Sequence, residues 1–124
     1  MATIGMTSVT LIALGGAAGS VLRYLTSVLA IELLGAAFPW GTLAVNALGS
    51  LVIGALAGAD VEGQARLLLV TGFLGGFTTF SAFSLEATML WPRSAALSAG
   101  YVAASILLGG AFFDAMRPGA LCVN

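Results

Sequence analysis

Histidine is absent from this chain of 124 residues, cysteine occurs once, as Cys122, and charged residues make up only 7% of it. Without histidine and with a single thiol, there is no His-based catalysis, no transition-metal cluster and no internal disulfide. Cys122 stands two residues from the C-terminus and reads as an incidental thiol. A soluble domain carries about 25% charged residues, so the usual wetted surface is missing too. The net charge of −1 is too small to draw in a nucleic acid or another polyanion. What fills the space is apolar: 60% of residues are hydrophobic, and the mean hydropathy is +1.09.

The few charges punctuate the chain. Uncharged runs extend from Met1 to Arg23, Glu32 to Asp60, Arg66 to Glu86 and Arg93 to Asp114. Each is about the 20 residues that a membrane-spanning helix needs. The expectation is an all-α membrane protein, one domain over 1–124, with helices at about 7–34, 40–58, 66–91 and 94–116. The first run has no basic leader, and its apolar character continues past Arg23, so a cleaved signal peptide is not expected.

The third span holds the least regular stretch, Gly72 to Glu86. Gly75 and Gly76 each cost roughly 1 kcal/mol relative to alanine in a helix, and Thr78 and Thr79 follow at once. The pattern predicts a helix broken near Gly75–Thr79. A break in lipid strands carbonyls and amides, so it is tolerated only where it is buried in protein or lines a cavity. Beyond it, Phe80 and Phe83 share a face, amid Thr79, Ser81, Ser84 and Glu86.

The other spans carry small or polar residues at helical spacing. In the first, Gly15 and Gly19, and Gly16 and Ser20, are four apart and suit close helix contact. Arg23 lies four beyond Gly19, inside the span, where an arginine costs about 2.5–3.5 kcal/mol. It snorkels to the interface, stands at the mouth of an anion path, or locks the assembly. In the second span Thr42, Asn46, Ser50, Gly54 and Gly58 recur every four residues, after Pro39 at the helix start. Asn46 either bonds a neighbouring helix or offers amide hydrogens to an anion. In the fourth, Ser94, Ser98, Tyr101, Ser105 and Gly109 make a second stripe, before Pro118. Trp40 and Trp91 belong to one interfacial belt. Leaving Arg23 aside, one membrane side carries Arg66 and Arg117 and the other Arg93, a bias too small to orient the chain.

Most of the polar groups inside the spans are neutral donors: an amide, hydroxyls, and ring edges made positive by the aromatic quadrupole. Cation-coupled transporters place a carboxylate or histidine at mid-span, whereas Glu32 and Glu86 lie towards helix ends. Weak, repeated donors suit a conducted anion, which must enter and also leave. Four helices enclose little width, so an oligomer is expected.

Gly15–Tyr24 (GGAAGSVLRY), Gly41–Asn46 (GTLAVN) and Gly72–Glu86 together resemble the Fluc (CrcB) fluoride channels, along all four helices and in order. The resemblance implies a fluoride-selective channel in the bacterial inner membrane, passively exporting cytoplasmic fluoride and so protecting the cell from its toxicity. It implies an antiparallel, dual-topology homodimer, with a structural sodium ion (Na+) held at the interface by backbone carbonyls of Gly75 and Thr78. By the same resemblance Phe80, Phe83, Asn46, Tyr101 and Ser105 line the fluoride pathway, Thr79, Ser81, Ser84 and Glu86 form a polar track, and Arg23 stands near a vestibule. Thr42 joins this set from the stripe of the second span. Two positions depart from the family pattern: Ala82 replaces a common threonine, and Phe77 a smaller aliphatic. An antiparallel pair would also account for the balanced arginines. The alternatives are a small dual-topology proton-coupled exporter of cationic compounds, which would want a carboxylate within the first helix, and a non-transporting assembly subunit, whose stripes would serve packing alone. Nothing in the residues points to an enzyme.

Overall fold

The computed structural model describes residues 3–116; Arg117, Pro118 and Cys122 lie outside them, and with them the second arginine of one membrane side, the stop after the last helix and the lone thiol. Among the described residues, four helices are long and apolar enough to cross a membrane: Met6–Leu34, Trp40–Gly58, Gly63–Leu90 and Ala95–Ala115. The described residues form no strand. The third span divides in two, so the chain reads α1 (Met6–Leu34), α2 (Trp40–Gly58), α3 (residues 63–77), α4 (Phe80–Leu90) and α5 (Ala95–Met116).

Local chemistry sets the ends. Gly35, at φ 84°, closes α1 in a conformation that costs a side chain dearly, and its N–H donates to Ile31 O at 2.8 Å. Pro39, which has no N–H to leave unpaired, precedes α2, and its carbonyl accepts from Leu43. At the far end of α4, Arg93 and Ser94 both donate their amides to Leu90 O. The Ser94 hydroxyl then accepts from Leu97 N–H at 3.1 Å and caps α5.

Small residues decide how the helices meet. Gly15 and Gly19 of α1 lie so close to α3 that a methyl on either would collide with its backbone, at Leu68 O and Phe73 O respectively. Gly72 answers from α3, with the Gly15 Cα 3.2 Å from where its own Cβ would stand. Across the molecule α2 packs on α5: Gly54 rests on the Phe113 backbone, and Gly109 rests on the Ser50 side chain. The stripes are thus the contact lines of the bundle, as expected where apolar lipid gives helices no hydrophobic reason to associate and close packing must do it. The aromatic core lies among α2, α4 and α5, with Leu43, Leu90 and Tyr101 buried and Phe38 and Phe83 packed on them.

The third span departs from expectation in two ways. Its residues Leu67–Leu74 wind as a π-helix, a wider turn that is rare and frequent near functional sites; LLLVTGFL contains no signal for it. The break is also narrower than predicted. Gly75 and Gly76 remain helical, and only Thr78 (ψ 156°) and Thr79 (φ −150°) are extended. Gly76 is needed for proximity instead: a Cβ there would meet Gly16 O of α1 at 2.5 Å.

Candidate ion pathway

The break at Thr78–Thr79 redistributes the backbone bonds around it. In an unbroken helix the Gly75 carbonyl would take the Thr79 N–H, and the Thr78 carbonyl the Ala82 N–H. Both donors are used elsewhere: Thr79 N–H goes to Asn46 Oδ1 at 2.8 Å, and Ala82 N–H to Thr79 Oγ1 at 3.1 Å. The second of these is an N-cap that starts α4. Gly75 and Thr78, the two residues whose carbonyls the resemblance assigns to sodium, are therefore left without their helical donors. A hard cation bound by oxygen fits such a donor set.

Two side chains from other helices hold the joint. Asn46 of α2 accepts from Thr79 N–H and also donates its Nδ2 to Thr79 O at 3.0 Å, so one amide group satisfies both backbone groups of one residue. Its second amide hydrogen remains for another acceptor. Arg23 of α1 donates Nε to Gly76 O at 3.0 Å. Arg23 thus faces protein: it caps a carbonyl freed at the end of α3, where the helix dipole favours positive charge. Thr78 folds back on its own helix, with both N–H and hydroxyl donating to Leu74 O.

Beyond the joint, α4 presents the predicted residues in two groups. Phe80 is 78% exposed, and Ser81 beside it shares a hydrogen bond with Thr79 across 3.2 Å. Phe83 points inward, half-buried, its ring centroid 5.8 Å from that of Phe80 and 5.3 Å from that of Tyr101. One turn further on, the Glu86 carboxyl group accepts from Thr42 Oγ1 at 2.7 Å and from Tyr101 Oη at 3.1 Å, joining α2, α4 and α5. Ser84 is half-buried between the two groups. Ser105 stands apart, with a buried hydroxyl that makes no hydrogen bond among the described residues.

The structure therefore brings Asn46 to Thr79, Thr42 and Tyr101 to Glu86 and Phe80 to Phe83, but leaves the Ser105 hydroxyl without a partner among the described residues. Ala82 costs the track a hydroxyl, though its amide serves the cap. Phe77 is buried and stacked on Phe73 at 5.9 Å, a packing role. Sequence reasoning missed Gly76 as the acceptor for Arg23; the four-residue step from Gly19, which touches α3, was the available signal.

A family model described as "CrcB-like protein, Camphor Resistance (CrcB)" matches residues 10–115. Among similar proteins, the fluoride-specific ion channel FluC of Rhizobium johnstonii is 57% identical over 102 residues, which are 77% of this chain and 82% of that protein. FluC of Rhizobium etli is 58% identical over 104 residues, with the same coverage. FluC of Agrobacterium fabrum is 52% identical over 111 residues, covering 83% of this chain and 87% of its own.

Proposed function

The chain belongs to the CrcB-like family, and from that membership we infer that it is a fluoride-selective ion channel of the bacterial inner membrane, passively releasing cytoplasmic fluoride. The observation that carries this reading is the likeness to proteins named fluoride-specific ion channels, more than half identical along most of the chain. The geometry supports it. The ordered groups beyond the break are ring edges and hydroxyls, which attract a small anion weakly enough to let it go. Phe80, Phe83, Asn46, Tyr101 and Ser105 line the path, with Thr79, Ser81, Ser84, Thr42 and Glu86 along its track and Arg23 near its vestibule.

The functional unit is an antiparallel, dual-topology homodimer. Phe80 and the break lie towards the open side of one chain and meet a second copy there. Gly75 and Thr78 carbonyls from both chains hold a structural Na+ whose charge offsets the dipoles that the break exposes. This chain's own residues prepare that site: Asn46 draws off the Thr79 amide, the Thr79 hydroxyl draws off the Ala82 amide, and Arg23 occupies the neighbouring carbonyl of Gly76.

The test is fluoride efflux from liposomes holding the purified protein, read with a fluoride electrode. Fluoride is expected to leave far faster than chloride. Equal release of the two ions, or none, overturns the reading.

A further inference from the structure

A cavity of about 270 Å³ opens where the end of α1, the turn into α2 and the end of α4 come together. Thr42 and Glu86 form part of its wall, and so does Arg93, which no part of the proposed pathway has used. Most of the remaining wall is apolar, Phe38 and Met89 included. Arg93 is exposed, and its one hydrogen bond is long, Nη1 to Ala37 O at 3.4 Å. Among the described residues it pairs with no carboxylate, so most of its five N–H donors stay available.

We infer that Arg93 collects fluoride at one mouth of the pathway, with this cavity as the anteroom between the guanidinium and the Thr42–Glu86–Tyr101 group. The inference rests on the fluoride-channel reading. Three features carry it. The cavity is continuous from Arg93 to Thr42 and Glu86, so an ion at the rim is already inside the same enclosure as the polar track. Low-dielectric walls focus the field of a guanidinium that forms no ion pair among the described residues, which raises the local concentration of the opposite ion at its end of the cavity. Both Glu86 oxygens accept from hydroxyls on α2 and α5, which holds that acid against the bundle at the inner end of the cavity, whereas the guanidinium is exposed at its rim. Trp40 lines the same cavity, which places the mouth at the level of the interfacial belt.

Conduction should therefore depend on Arg93 through supply, not through the narrow part of the path. Fluoride flux through wild-type, Arg93→Gln and Arg93→Lys proteins is measured in liposomes, from fluoride far below half-saturation to well above it, at low and at high concentrations of an impermeant salt. Arg93→Gln is expected to lower flux about threefold at low fluoride and low salt, with the difference closing at saturating fluoride and as salt screens the charge. Arg93→Lys, which keeps the charge, is expected to follow the wild type. A deficit in Arg93→Gln that is equal at all fluoride and salt concentrations would mean a structural role and overturns the inference. So does a variant indistinguishable from wild type while wild type conducts. Wild-type protein that releases no fluoride overturns the channel reading itself, and this inference with it.

Discussion

Ser105 carries a hydroxyl that is enclosed yet makes no hydrogen bond among the described residues. An unsatisfied buried hydroxyl costs about 1–3 kcal/mol, so its retention asks for a partner outside this chain, and a passing anion is one. Thr42 and Tyr101 differ: their hydroxyls are committed to Glu86. Ser105→Ala is thus expected to leave thermal stability within about 0.5 kcal/mol of wild type, or to raise it, while lowering fluoride flux in the liposome assay; unchanged flux would remove Ser105 from the path. The rings make a separate prediction. If positive ring edges stabilise the ion by about 1 kcal/mol, then Phe80→Ile and Phe83→Ile should each slow flux by about fivefold. Gel filtration should show an assembly of unchanged size. Normal flux in both variants would dismiss the ring-edge argument.

At the scale of elements, the crossing of α1 over α3 depends on absent side chains. A Cβ on Gly19 would collide with Phe73 O and stand 2.8 Å from Phe77 N, both backbone atoms that cannot swing aside. A Cβ on Gly110 would meet nothing within 4 Å. Gly19→Ala should therefore destabilise the protein by about 1–3 kcal/mol, whereas Gly110→Ala should be neutral or slightly stabilising; thermal melting in detergent compares them. This pair also shows what the sequence made legible. Spacing of charges located the four spans, and small residues four apart located the close crossing. The break was visible as a run of glycine and threonine, but composition alone could not say which residues leave the helix. Thr78 and Thr79 do so because Asn46, remote in sequence, satisfies both backbone groups of Thr79. Both glycines stay helical, and Gly76 lies so close to α1 that it has no room for a Cβ. The π-helix at Leu67–Leu74 was illegible because an apolar run of ordinary residues reads the same whichever way it winds.

For the whole molecule, the break leaves a cluster of unmet groups. Phe80 lies 78% exposed, and close by in the chain the Gly75 and Thr78 carbonyls have lost their helical donors to Asn46 and Thr79. Lipid satisfies no carbonyl, so a lone chain in a bilayer would carry these groups at a cost of several kcal/mol. In the proposed dimer a second copy would bring its own Phe80 and its own two carbonyls, which would cover the rings but place four oxygen dipoles together; a cation between them would turn that repulsion into a bond. Assembly and sodium binding should then be one equilibrium. A cation bound only by the dimer stabilises it by RT ln(1 + [Na+]/Kd), about 2.7 kcal/mol at a hundredfold excess over Kd. Dimer dissociation on dilution in micelles, followed by fluorescence transfer between labelled chains, is expected to shift about a hundredfold in protein concentration between sodium and an equal concentration of a large organic cation. Dissociation indifferent to sodium would separate the break from any ion, and would leave the freed carbonyls to be satisfied by the partner chain or by water.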